Sequence, residues 1–269
     1  MILISVIIPL FNAANSIKRC INSVLNQDFA GPIEIIVIND GSTDTSAQQV
    51  TELMEAYRRP DRKILLISQQ NGGVSKARNT GLKIAEGSLI AMLDADDEWA
   101  QDKLSIQLEV LESNPEIDFL GCARNNEPLV LMGKRIDTLH CATVLELLVK
   151  MYPQTSTAIF KKSLLNKVGL YDEKLTHGED GDLWIRLCAA GNFWYDPRSL
   201  VITGDGKPSF GHSGLSANLK AMQWGCEANL MMAKRNGYIS LPLYTVLYLY
   251  GKMKYIRRIL ITKARKNDL

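Results

Sequence analysis

The sequence predicts an α/β fold, a mostly parallel sheet flanked by helices, with a helical and basic appendage at its C-terminal end. Three observations predict it. Through the first half of the chain, short apolar β-rich runs alternate with segments whose apolar residues recur at helical spacing. Such alternation builds parallel strands covered by helices on both faces. Polar, glycine-bearing loops directly follow several of these runs, which is where ligands sit in such sheets, at the carboxyl ends of the strands.

Element by element, residues 3–10 form the first β-rich run. Ile17, Cys20, Ile21, Val24 and Leu25 then share one helical face, with Asn15 or Ser16 as the cap. Residues 33–38 give a second strand, and Val50, Leu53, Met54 and Tyr57 mark the helix after it. Residues 63–68 and 89–93 repeat the strand signal, with a helix at 74–85 between them. After Pro128 the pattern is irregular: a strand is expected at 154–160, a helix at 180–190 closed by Gly191, and a strand at 193–195.

A chain of 269 residues, 46% of them hydrophobic, can bury the core of one domain with an appendage. Its five cysteines form no Cys-x-x-Cys pair, and no secretory leader opens the sequence, so a reducing, cytoplasmic setting is expected. No apolar run reaches the roughly 20 residues needed to cross a bilayer. Charge is unevenly placed. Residues 252–269 carry 7 basic and 1 acidic side chain, a net of +6, which leaves the remainder at −4. An acidic body argues against nucleic acid as a partner.

Four polar segments carry the candidate chemistry. Asn39-Asp40-Gly41-Ser42-Thr43-Asp44 follows the second strand. It is either a turn that caps the next helix or a ligand loop in which Asp40 makes the contact. Asn71-Gly72-Gly73-Val74-Ser75-Lys76-Ala77-Arg78 opens a helix, where backbone N–H groups together with Lys76 and Arg78 suit a phosphate.

Asp94-Ala95-Asp96-Asp97 ends a buried run. It is either a solvated acidic turn capping a helix that begins near Trp99, or a site for a hard divalent cation, which prefers carboxylates combined with phosphate oxygens. Glu179 and Asp180 start a helix, either complementing its dipole or supplying a general base.

In this order and spacing, the four segments and the opening Val6-Ile7-Ile8-Pro9-Leu10-Phe11-Asn12 resemble the family 2 glycosyltransferases with the GT-A fold, over about residues 3–190. The resemblance implies an inverting, non-processive, metal-dependent transferase. Pro9 and Phe11 would line the nucleoside pocket, Asp40 would accept a hydrogen bond from the base, Lys76 would support the nucleotide, and Arg78 would support the nucleotide and the metal-binding loop. Asp94 would face the ribose or sugar beside Ala95, and Asp96 would ligate Mn²⁺ or Mg²⁺. Asp180 would be the catalytic base with Glu179 as its neighbour, and His212, in Gly211-His212-Ser213-Gly214, would approach the metal.

Residues 1–215 would then form the catalytic domain, with a nucleotide-sugar half at 1–127 and an acceptor half at 128–215, and residues 216–269 a helical region. The processive Gln-x-x-Arg-Trp motif is missing; only Gln223-Trp224 stands nearby. Transfer of a single hexosyl or N-acetylhexosaminyl group is expected, from a nucleotide-sugar such as a UDP-sugar to a glycan or lipid-linked acceptor of cell-surface polysaccharide or lipopolysaccharide. The alternatives are a sugar nucleotidyltransferase and a non-catalytic glycan-binding module.

The tail reads as an apolar block, 241–250, followed by a basic block. This suits either docking on an anionic membrane at the inner face of the cell membrane or a helix packed on the catalytic domain with a cationic end.

Overall fold

The computed structural model describes residues 2–57, 59–204 and 217–267, with side chains as far as residue 264. The first half alternates as its pattern demands: β1 (Ile4–Leu10), α1 (Ile17–Leu25), β2 (Ile33–Asn39), α2 (Ser46–Ala56), β3 (Arg62–Ser68), α3 (Val74–Ile84) and β4 (Leu89–Met92). After it come β5 (Glu98–Trp99), α4 (Lys103–Ser113), β6 (Phe119–Arg124), a small hairpin of β7 (Val130–Leu131) and β8 (Lys134–Arg135), β9 (His140–Cys141) and α5 (Val144–Val149). The chain then runs through β10 (Ile159–Lys161), α6 (Leu165–Val168), α7 (Glu179–Ala190), β11 (Phe193–Ile202), α8 (Leu219–Arg235) and α9 (Leu241–Asn267).

The main sheet has the order β3-β2-β1-β4-β10-β6-β11-β5, with β9 against β11. Its first four strands are parallel, in register Ile4 to Ile33 and Ile4 to Leu89. On the other side of β4 the sheet becomes mixed: β10 is antiparallel to both neighbours and β6 is parallel to β11.

Period-two alternation divides the strand side chains between two cores. Ile4, Val6, Ile8, Leu10, Ile35 and Val37 face one, and Ile7, Ile36, Ile38 and Met92 face the other. α3 lies close on the second face because residue 81 is glycine. A methyl group there would sit 2.7 Å from Cγ2 of Ile7.

Three expectations are corrected. The helix expected near Trp99 starts at Lys103, because Glu98 and Trp99 form an edge strand on β11. The strand expected at 154–160 is confined to Ile159–Lys161, preceded by a cis Tyr152–Pro153 bond and a single helical turn at Thr155–Thr157. There, Gln154 accepts from the Ser156 N–H and competes with the strand ladder. The apolar tail does not stop at residue 250, since α9 continues to Asn267 with apolar residues among the cations.

No described helix is long and apolar enough to cross a membrane. α8, α9 and the turn between them pack into the same core as the sheet, through Leu230 and Ala233, Leu247, and Ile239 respectively.

Candidate functional site

The carboxyl ends of β1, β2 and β4 open on one side, and short polar side chains fix their loops there. Asn12, in a left-handed conformation at φ 48°, accepts from the Thr43 N–H at 2.8 Å, while its own N–H donates to Ser42 Oγ at 3.1 Å. The Ala14 N–H donates to Asp44 and the Ala13 N–H to Ser46. Pro9 is half-buried on β1, and Phe11 projects from its end, 53% exposed.

Asp40 is buried. Its carboxylate accepts from the Gly72 N–H at 2.9 Å, the Gly73 N–H at 2.8 Å and Gln69 at 2.7 Å. The anion at the start of α3 is therefore the protein's own. The Gly72 and Gly73 amides that suited a phosphate hold Asp40, which bends the glycine loop into place. Lys76 stands exposed on the outside of that turn.

Arg78 turns inward instead of toward a phosphate. Its guanidinium lies 2.8 Å from Asp94, 3.1 Å from Glu179 and 2.7 Å from Asp180, over the ring of Tyr171. Burial opposes the Arg78 charge, but Asp180 first and then Asp94 outweigh that cost and hold the group firmly protonated.

One cation thus joins α3, the loop after β4 and the start of α7. The two acids at that start differ. Glu179 has 8% side-chain exposure and Asp180 28%. Burial, then the Asp180 charge, pushes Glu179 up to about 7. Burial also raises Asp180, against the pull of Arg78.

In the loop after β4, Ala95 is buried and Asp96 exposed. Asp97 turns inward to Ser156 Oγ at 2.5 Å and Gln154 at 2.9 Å; burial and then the Asp94 charge raise it to about 7. Among the described residues no group of three or more His, Cys, Asp or Glu side chains converges as a metal cage. With Asp94 on Arg78 and Asp97 turned inward, Asp96 is the carboxylate facing solvent. That donor set fits a magnesium- or manganese-like ion that takes one or two carboxylates and completes its shell with phosphate oxygens and water. His212 lies outside the described residues.

The sequence did not single out the segment 152–156, which faces these acids. Thr155 Oγ1 donates to Asp180 at 2.5 Å, the Gln154 amide spans Asp97 and Asp94, and Ser156 Oγ accepts from the Asp94 N–H at 2.9 Å. A run of four uncharged polar residues, Gln154 to Thr157, one residue before a buried strand was the available signal. Asp94, Asp180, Gln154, Thr155, Tyr152 and Lys150 line a cleft of about 380 Å³. α8 braces the start of α7: the Asn229 amide donates to the Gly178 carbonyl at 2.8 Å, and Gly225 leaves room for the backbone at His177.

The model of glycosyl transferase family 2 matches residues 5–168, which include Asp40, Arg78, the Asp94–Asp97 loop and the segment 152–156 but not Glu179, Asp180 or the elements that brace them. The chain belongs to this family. An uncharacterized glycosyltransferase of Rickettsia felis is 33% identical over 190 residues, which is 69% of this chain and 30% of that protein. The chain thus spans under a third of that family member's length.

Among solved structures, residues 1–349 of TarS from S. aureus align at a TM-score of 0.66 and 20% identity, over 92% of this chain and 70% of that one. The mannosyltransferase PcManGT of Pyrobaculum calidifontis, in complex with GDP-Man and Mn²⁺, aligns at 0.63 and 20%, over 98% and 86%. At these identities the likeness establishes the shared GT-A fold of the family 2 domain.

Proposed function

We propose that this chain is an inverting, metal-dependent glycosyltransferase that moves one hexosyl or N-acetylhexosaminyl group from a nucleotide-sugar to a glycan or lipid-linked acceptor. The observation that carries the reading is the asymmetry of the two acids that Arg78 joins. Glu179 is shut inside, and Asp180 opens on the cleft beside the Asp94–Asp97 loop.

An acceptor hydroxyl in that cleft hands its proton to Asp180 as its oxygen attacks the anomeric carbon from the face opposite the leaving diphosphate. This geometry inverts the centre. Thr155 and Arg78 fix the Asp180 carboxylate through one oxygen each, so it is aimed before the acceptor arrives. A divalent cation, Mn²⁺ or Mg²⁺, held by Asp96 and the donor's phosphates would offset the charge on the departing diphosphate. Pro9, Phe11, Asp40 and Lys76 frame the side of the site where the nucleoside would lie.

A UDP-sugar is the favoured donor. TarS is also known in complex with UDP and with UDP-GlcNAc, whereas the PcManGT structure holds GDP-Man. The setting proposed is cell-surface polysaccharide or lipopolysaccharide assembly at the cytoplasmic face of the membrane.

Calorimetric titration of UDP, GDP, dTDP and CDP, with and without Mn²⁺, tests this reading. Metal-dependent binding of one nucleotide, lost in Asp96→Ala, is expected. Asp180→Asn should keep that binding and lose about 10²–10⁴-fold in donor turnover. Folded protein that binds no nucleotide would sink the proposal, binding without any turnover in the parent chain would leave only a binding module, and turnover untouched in Asp180→Asn would remove Asp180 as the base.

A further inference from the structure

We propose that the groove between the β7–β8 hairpin and α9 seats the lipid carrier of the acceptor, a long-chain lipid phosphate whose saccharide reaches the cleft at Asp180. This rests on the glycosyltransferase reading and deepens it by naming the acceptor class.

The groove has a volume of about 880 Å³, with Val130 and Met132 on one wall and Val246, Leu249 and Met253 on the other. It adjoins the acceptor cleft. Lys150 lines both cavities, and the chain passes from one to the other between Leu129 and Val130 and again between Lys150 and Met151. A ligand with a polar head in the cleft and an apolar chain in the groove would therefore lie along one continuous surface.

Charge selects the kind of ligand. The cations lining the groove are Lys150, Lys254, Arg257 and Arg258, and no carboxylate is among its described lining residues. Lys254 donates to the Val149 carbonyl at 2.7 Å and Lys150 to that of Val130 at 3.3 Å, which holds both ammonium groups at the wall. Burial first, and then Arg258, make it harder for Lys254 to keep its proton. An anion among these cations would relieve that penalty.

The groove's α9 wall, Val246, Leu249 and Met253, continues past it through Ile256 and Leu260 as one outward stripe at three- and four-residue spacing, each residue between 57% and 62% exposed. Met132 at the hairpin, 69% exposed, extends it. Exposed apolar surface of this extent calls for a covering partner. Arg257 and Lys263 flank the stripe. A second copy of the chain would bring these cations against their own kind, whereas an anionic lipid surface complements them. The stripe in the bilayer surface and the groove at its edge would together draw a lipid phosphate from the membrane.

The test is co-sedimentation of the full chain with three kinds of vesicle: phosphatidylcholine alone, phosphatidylcholine with a polyisoprenyl phosphate, and phosphatidylcholine with phosphatidylglycerol at matched charge. Binding to the polyisoprenyl phosphate vesicles about ten-fold tighter than to the phosphatidylglycerol ones is expected. The double variant Met132→Glu/Met253→Glu and the single variant Lys150→Glu should each lose that preference. Both change exposed or half-buried side chains, and thermal melting with nucleotide titration checks that the fold survives.

Equal binding to both anionic vesicles, retention unchanged in the variants, or no retention at all would overturn the proposal. So would a dimer in solution that Met253→Glu dissolves without any lipid binding. Nucleotide binding that fails while the lipid preference stands would instead defeat the transferase reading and leave this site intact.

Discussion

In the N-terminal half of the sheet, the loops at the carboxyl ends are sewn together by many short, mostly neutral contacts. Asn12 is tied to Thr43, Ala13 to Ser46, and Asp40 to Gly72 and Gly73. In the other half, the start of α7 and the loop after β4 are held by one buried guanidinium shared among three carboxylates. The first arrangement spreads its loss over several hydrogen bonds. The second concentrates it, because removing the cation leaves like charges facing one another with little water. The lesson is one of tolerance: the loops of the N-terminal half should lose stability in small steps, and the acid cluster in one large step.

The largest effect is therefore expected at Arg78. Arg78→Ala should lower the unfolding free energy by about 3–5 kcal/mol, read from urea denaturation. Arg78→Lys should recover only part of it, since an ammonium cannot present a guanidinium's fork of donors to several carboxylates. A loss of under about 1 kcal/mol, the range of an exposed pair, would show that the acids are held by something else.

Asp40→Ala comes next, at about 1–3 kcal/mol, because the Gly72 and Gly73 amides lose a charged acceptor. Nucleotide affinity should weaken with it as the loop at 69–73 loosens. Asn12→Gly, which tolerates the left-handed backbone and removes a neutral contact, should cost about 1 kcal/mol. If the two substitutions cost the same, the carboxylate adds nothing beyond a neutral acceptor.

Thr155→Val sharpens the comparison at the acid cluster. It removes one hydrogen bond to Asp180 and leaves Arg78 in place, so stability should move by about 1 kcal/mol and transfer should slow by roughly ten-fold. An unchanged rate would relegate Thr155 to packing.

The same division governs what the sequence disclosed. β1, β2 and β4 and their loops were legible because a strand buried on both faces writes a continuous apolar run, and the polar residues after it stand out. Asp40, Asp94 and Asp96 fall in such places, whereas Arg78 lies within α3 and Asp180 opens α7. The role of Arg78 was not legible from its own neighbourhood, since its partners stand 16, 101 and 102 residues away and only the folded chain brings them together. Nor was that of Gln154 and Thr155, because a polar single turn before a three-residue strand has no periodicity to display. In α9, composition showed an apolar and then a basic block, whereas packing on α8 buries one apolar side and turns a second one out.

The smallest effect expected separates stability from chemistry within the acid cluster. Burial, then the Asp180 charge, raises the Glu179 carboxyl from 4.5 to about 7, with Arg78 opposing. The folded chain then binds this proton more tightly than the unfolded chain does. Its contribution to stability is complete below the ordinary carboxylate range and is lost as pH rises toward about 7.

Asp180, raised in the same direction by burial, must be ionised to accept a proton, so transfer should climb as pH rises above the ordinary carboxylate range. Melting temperature and turnover, measured from about pH 5 to about pH 8, should therefore run in opposite directions. Glu179→Gln should flatten the fall in melting temperature and leave the rise in turnover standing. If both curves rise together in the parent protein, the carboxyl facing Arg78 from inside is ionised throughout, and the difference between the two neighbouring acids is one of exposure alone.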